Sequence, residues 1–204
     1  MISVFIKKSL DYFGTAVTSY GFLRKYKIKE GDIIIDAGAY LGGFTLMAAK
    51  KVGKKGKVIA FEPDPQNFNI LQKNVQNSNF SNIILINKAI LNKIGQTNFF
   101  PNNSKSIVNN QSAGIKIQTT TLDNEITKIG LITIDFVKMD IEGSELEAFE
   151  GMRKMLEITK NFAIACYHER MGQKTGEILK PMLCQIGFLT EIGYIMHPTL
   201  YAHK

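Results

Sequence analysis

The 204 residues, 45% of them apolar and 21% charged, have the balance of an ordinary globular chain and a length that suits one domain. The net charge of +7 is gathered in residues 1–60, where 11 Lys and Arg face 4 Asp and Glu, while the rest of the chain carries 14 of each. Two cysteines, Cys166 and Cys184, without CxxC spacing argue against a zinc or disulfide framework and for a reducing, cytoplasmic setting.

Residues 1–30 read as an N-terminal cover, helical from about Val4 to Tyr26 and lying over one edge of a sheet; residues 31–204 read as the core of the same single domain. The opening apolar run is too short for a signal peptide, and no stretch approaches the roughly 18 apolar residues of a membrane span. The lysine clusters at Lys7 and Lys8, Arg24 to Lys29 and Lys50 to Lys57 lack interleaved aromatics, so they read as a solvated face before a nucleic-acid or membrane surface.

Asp32–Asp36 is a short buried strand, Thr45–Lys51 has helical composition, and Lys57–Phe61 is a second strand. Pro65–Gln76 follows as a helix with Phe68, Leu71 and Val75 on one face, then Asn82–Asn87 as a third strand. Strands alternating with helices predict βαβ units, and so an α/β fold with a mostly parallel central sheet and helices on both faces. Gly95 to Gly114 lacks a period and is read as a hairpin or loop around Thr97 to Phe100, then a surface excursion, with Ile115–Thr119 a short strand beyond it. Ile134–Met139 is a buried strand, Ser144–Ile158 a helix, Phe162–Tyr167 a strand, and Gln173–Ile186 a helix interrupted or kinked near Pro181. Phe188–Ile192 and Tyr194–His197 form a closing strand pair around Gly193.

The sharpest chemical signal runs from Asp36 to Gly42, directly after a strand and before a helix. Glycine permits a tight turn and close approach of a ligand, and the helix start offers unpaired N–H groups to a carboxylate or phosphate. The second strand ends in Phe61-Glu62-Pro63. A semi-buried carboxylate there suits both hydroxyls of a ribose. The G-x-G-x-x-G pattern of dinucleotide sites is missing between Gly38 and Gly43, which disfavours NAD. Asp36 suits the ammonium of an amino-acid moiety, directly or through water.

On DAGAYLGGFTLMAAK, VIAFEPDPQNFNILQKNV, NKAIL, TTTLD and VKMDIEGSELEAFEG, in that order, the chain resembles the FkbM family of methyltransferases. These are class I S-adenosylmethionine-dependent enzymes with a Rossmann-like fold that act mostly on hydroxyl oxygens. The resemblance runs from about Gly31 to Gly151 and weakens toward His168. It departs at Tyr40, where the family often has Asn, and at Asn124, where a second acid often follows Asp123. By position it implies that Asp36, Gly38, Ala39, Tyr40 and Gly42 surround the methionine part of S-adenosylmethionine. It implies likewise that Glu62 holds the ribose, that Pro63 and Asp64 shape that turn, and that Ala89 and Ile90 lie near the adenine.

Ligands in open parallel sheets bind beyond the carboxyl ends of strands, so Asp140 and Glu142 are expected to face the methyl donor or the acceptor. Glu145, Glu147 and Glu150 read instead as a helix-start charge cluster. His168 closes the next strand and is the candidate general base, with an ordinary pKa near 6.5; His197 and His203 receive no role. The expected reaction is methyl transfer to a hydroxyl of a sugar or small metabolite, with no metal site assigned. The alternatives are an RNA methyltransferase, suggested by the basic N-terminal section, and a cofactor-binding protein without turnover.

Overall fold

A computed structural model describes residues 21–100, 114–170, 172–193 and 197–204, together with the main chain of 107–109. The proposed helix over Val4 to Tyr26 lies outside these residues except for its last six.

In chain order the core elements are β1 (Ile33–Ala37), α1 (Gly43–Val52), β2 (Lys57–Phe61), α2 (Pro65–Ser78) and β3 (Ile83–Ile86). A second group follows: β4 (Ala89–Ile90), β5 (Gly95–Phe100), β6 (Ile107–Asn109), β7 (Ile115–Thr120) and α3 (Leu122–Ile129). The chain then returns to the main sheet through β8 (Phe136–Met139), α4 (Glu145–Glu150), α5 (Arg153–Ile158) and β9 (Asn161–Ala165). It ends with β10 (Glu169–Arg170), β11 (Gln173–Lys174), α6 (Thr175–Gln185), β12 (Leu189–Gly193) and β13 (Thr199–His203).

Seven strands form the main sheet in the order β12-β13-β9-β8-β1-β2-β3. β1, β2, β3, β8 and β9 run parallel, and β13 is antiparallel to both of its neighbours. The apolar runs of β1, β2, β8 and β9 are buried on both faces, as parallel strands under helices require, while the edge strand β3 is half-buried. One face carries Ile35, Val137, Met139, Phe162 and Ile164 against α3 to α6; the other carries Ile34, Val58 and Phe136 against α1 and Phe22. Burial of each such large apolar side chain contributes about 1.5–3 kcal/mol. The α/β expectation therefore holds, and the strand order reverses at β1, between β2 and β8, which is where such sheets bind ligands.

The structure refines these expectations. The hairpin or loop read around Thr97 to Phe100 belongs to a second sheet of order β4-β7-β5-β6, in which β5 pairs antiparallel with β7 and buries Phe99 and Ile117 against Ala89. The helix expected over Ser144–Ile158 is two helices, α4 and α5. Asp123 causes the break, since its carboxylate accepts the N–H groups of Lys154 and Met155 and so caps α5 from outside. The last strand begins later than expected, at Thr199, and residues 194–196 of the expected strand lie outside the described residues. α6 runs unbroken through Pro181, losing only the hydrogen bond that an N–H there would make to Glu177.

Candidate active site

The sheet register brings the chemistry together. Asp36 of β1 lies opposite Ala60 of β2 on one side and Lys138 of β8 on the other. Gly38, Glu62, Asp140 and His168 each follow the carboxyl end of a parallel strand, so all four sit along one edge of the sheet.

Asp36 is fully buried and its carboxylate is engaged within the protein: Oδ2 accepts the Thr45 hydroxyl at 2.6 Å, and Oδ1 lies 3.1 Å from the Lys138 ammonium. Lys138 also donates to the carbonyls of Ala37 and Gly38. Asp36 thus anchors the first turn of α1 and, through Lys138, the main chain of the glycine turn. Neither of its oxygens is exposed to solvent.

Gly38 has φ +82°, and a Cβ there would overlap the carbonyl oxygen of Asp140. Glycine is needed at this place for the close approach of the β1 and β8 turns as much as for any ligand. Gly42, at φ +91°, is the N-cap of α1 and contributes no side-chain hydrogen bond, so the first-turn N–H groups of α1 are left without a side-chain cap. Ala39 is buried and packs with Ala60 and Leu71. Tyr40 adopts φ +52°, which a Tyr tolerates less readily than the Asn often found there in the family the chain resembles.

Glu62 is the pivot of this half of the site. Oε2 accepts the Tyr40 N–H at 2.8 Å and Oε1 the Asp64 N–H at 3.0 Å, which fixes the carboxylate and leaves each oxygen a further lone pair. Burial pushes its pKa up to about 7, against the opposing pull of those two N–H groups. Asp64 caps α2, whose first residue is Pro65, and Asn87 donates to the carbonyls of Glu62 and Pro63, so the turn is held from two sides. Ala89 and Ile90 are buried in β4, the Ala89 side chain packing on Phe99 and Ile117.

The second half of the site lies beyond β8 and β9. Glu142 adopts φ +55° and Gly143 φ +95°, a left-handed pair that turns the chain sharply. Glu142 Oε2 lies 3.2 Å from His168 Nε2, and Glu145 Oε1 lies 3.4 Å from His168 Nδ1. Burial lowers the imidazole pKa, but the two carboxylates more than offset it and raise the group to about 9. The two carboxylates therefore favour the imidazolium form of His168 at neutral pH, its pKa lying well above the unperturbed value near 6.5.

Asp140 Oδ1 accepts the Tyr167 hydroxyl at 3.4 Å, and Oδ2 lies 3.8 Å from His197 Nε2. Burial and the neighbouring Asp140 hold the Tyr167 hydroxyl well above its usual range, so it acts as a donor. Arg170 pairs with Glu147 and donates to the Gly143 carbonyl, while Glu150 accepts from Asn92 at a distance from this cluster.

Sequence reasoning missed Lys138, Tyr167 and His197, and read Glu145 only as part of a helix-start charge cluster, whereas its side chain is fully buried. Lys138 left a visible signal, a lone charge inside an apolar strand. Among the described residues, no group of three or more His, Cys, Asp or Glu is arranged to hold a metal ion, and no helix is long and apolar enough to cross a membrane.

Comparison with known proteins agrees with this architecture. Residues 36–195 match the model of the methyltransferase FkbM domain. The hexuronic acid methyltransferase AglP of Haloferax volcanii is 28% identical over 152 residues, covering 72% of this chain and 60% of that protein. A probable cobalt-precorrin-6B C(15)-methyltransferase (decarboxylating) of Saccharolobus solfataricus is 30% identical over 146 residues, 68% of this chain and 69% of that one. The crystal structure of an FkbM methyltransferase from Methylobacillus flagellatus superposes with a TM-score of 0.64 at 22% identity, covering 88% of this chain and 45% of that one. The chain thus spans well under two thirds of the first of these relatives and less than half of the solved structure.

Proposed function

The chain belongs to the FkbM methyltransferase family, and from that premise we propose that it transfers the methyl group of S-adenosylmethionine to a hydroxyl oxygen of a sugar or small metabolite. The observation that carries the reading is Glu62, a buried carboxylate fixed by two N–H groups at the end of β2, next to the glycine turn and with lone pairs to spare. A ribose presents two adjacent hydroxyl donors that fit such an acceptor.

The other residues at these strand ends fit the same group. Gly38, Ala39, Tyr40 and Gly42 form the turn that would follow the methionine part, and the uncapped first turn of α1 offers N–H groups to its carboxylate. Asp36 acts on that turn through Thr45 and Lys138. Pro63 and Ala89 would bound the adenine end, Ala89 through its main chain.

When bound, S-adenosylmethionine supplies an activated methyl group on a sulfonium sulfur. The protein's task is then to align an acceptor oxygen and receive its proton; alignment alone can contribute roughly 7–11 kcal/mol. Asp140, held by Tyr167, would accept a hydrogen bond from the acceptor, and His168 in its neutral form, with Glu142 beside it, would take up the proton.

Charge supports a small or glycan acceptor over nucleic acid. Lys50, Lys51, Lys54 and Lys55 lie at the end of α1 and before β2, the sheet edge opposite the site. At the site itself Asp140, Glu142, Glu145 and Glu147 outnumber His168 and Arg170, a balance that repels phosphates. The similarity to a hexuronic acid methyltransferase supports a sugar.

The test is methyl transfer from labelled S-adenosylmethionine to a panel of uronic acids, neutral sugars and RNA. Label on a sugar hydroxyl is expected. Label on RNA, or S-adenosylmethionine binding without transfer to any acceptor, would refute the assignment.

A further inference from the structure

His168 stands between two carboxylates that differ in surroundings. Glu142 is partly exposed, with 28% of its side-chain surface open to solvent, whereas Glu145 is fully enclosed. Glu145 Oε1 accepts the N–H groups of Gly143 at 3.2 Å and Ile141 at 3.3 Å, so the sharp turn after Asp140 is wound around this carboxylate. The left-handed Glu142 and Gly143 make that winding possible.

Glu145 Oε2 and His168 Nδ1 are both buried without a hydrogen-bond partner, although Nδ1 is only 3.4 Å from Oε1 of the same carboxylate. A buried acceptor and a buried ring nitrogen left without partners each cost free energy, which pairing Nδ1 with the Glu145 carboxylate offsets. The His168 main chain is held meanwhile by the Thr175 N–H, which donates to its carbonyl at 2.8 Å.

We propose that Glu145 is a positioning residue for His168, holding the ring proton on Nδ1 so that Nε2 faces the acceptor and exchanges protons through Glu142. This rests on the methyltransferase reading above. In the resting protein both ring nitrogens are protonated. The Nε2 proton leaves through Glu142, the carboxylate in contact with water. Bare Nε2 would then take the proton released by the acceptor hydroxyl as its oxygen forms the new bond to the methyl carbon and the carbon–sulfur bond breaks, its electron pair staying on the sulfur as a neutral thioether. The imidazolium that results is the state the two carboxylates favour.

A neutral imidazole has one proton for two nitrogens. The enclosed Glu145 competes for it better than the water-screened Glu142, because charge acts more strongly where solvent is excluded. The other groups around the ring are Tyr167, tilted across it with ring centroids 4.1 Å apart, with Asp140 and His197 behind it, and Arg170 paired with Glu147. None of these offers a second partner to Nδ1.

Nitrogen-15 spectra of the ligand-free chain, labelled at histidine, test this without reference to turnover, with His168→Gln identifying the resonance. In the unsubstituted protein His168 is expected to titrate near 9, and its neutral form above that pH to carry the proton on Nδ1. A neutral form protonated on Nε2 overturns the proposal. In Glu145→Gln the titration is expected to fall by at least about one pH unit, about 1.4 kcal/mol. The rising limb of the pH–rate profile should shift the same way; a titration or limb that stays in place also overturns it. Should Glu145→Gln not fold, the tautomer in the unsubstituted chain still decides. Methyl transfer measured on the same sample reports separately on the functional reading.

Discussion

Replacing Glu62 with Gln separates a stability effect from a binding effect in one residue. Burial raises the Glu62 pKa from 4.5 to about 7, so the folded chain holds this proton more tightly than the unfolded one. Below about pH 4.5 both states are protonated and the group is neutral in each. Between 4.5 and 7 the unfolded chain ionises first, and the folded state loses stability as pH rises; above 7 the loss is complete and constant. At about 1.4 kcal/mol per pH unit the loss is at most about 3.5 kcal/mol.

Gln cannot ionise, so that pH-dependent loss disappears. It does mismatch one of the two N–H groups now accepted by Glu62, but this cost is the same at every pH. The measurement is therefore a difference: urea denaturation of both proteins at pH 5 and pH 8. Glu62→Gln should gain about 2–3 kcal/mol on the unsubstituted protein over that interval. Calorimetry at pH 8 should show S-adenosylmethionine binding weaker by roughly 10–100-fold, the worth of charge-assisted hydrogen bonds. An identical pH dependence in the two proteins would refute the buried, raised carboxylate, and unchanged affinity would refute its role toward the ribose.

Lys138→Met should destabilise the protein by about 3–5 kcal/mol in urea, because it leaves Asp36 buried without its counter-charge; adding Asp36→Asn should recover most of that loss. Gly38→Ala should cost at least about 2 kcal/mol and lower the melting temperature by several degrees, since its Cβ forces the β1 and β8 turns apart; cofactor affinity should fall with it. Asp123→Ala should cost about 1–2 kcal/mol and speed hydrogen exchange in the first turn of α5 with little change in cofactor binding, as expected for a lost cap.

The parallel core was legible because its strands are short apolar runs cut by glycine turns and caps; Lys57–Phe61 keeps the same bounds in the structure. The second sheet was only partly visible, as a hairpin or loop around Thr97 to Phe100 and a strand at Ile115–Thr119, because β5, Gly95–Phe100, alternates over few residues. The single helix expected after Ser144 failed for another reason: the cap that divides it comes from Asp123, some thirty residues earlier in the chain. A local pattern cannot show a cap supplied from a distance.

The candidate site divides along the same line. Its glycine turn and Glu62 are local features and were visible. What the local pattern did not show is which charges pair within the protein: Asp36 lies against Lys138, and Glu145, read as part of a helix-start charge cluster, lies against His168. Yet Lys138 shows how such a pair can be found. An ammonium in the middle of an apolar strand must meet an acid, and it can reach only neighbours whose side chains leave the same face of an adjacent strand. Once β8 is placed beside β1, as the reversal of strand order requires, the register sets Lys138 opposite Asp36. A buried charge in a parallel strand therefore identifies both its partner and the strand beside it, and here it marks the turn at which the proposed cofactor is held.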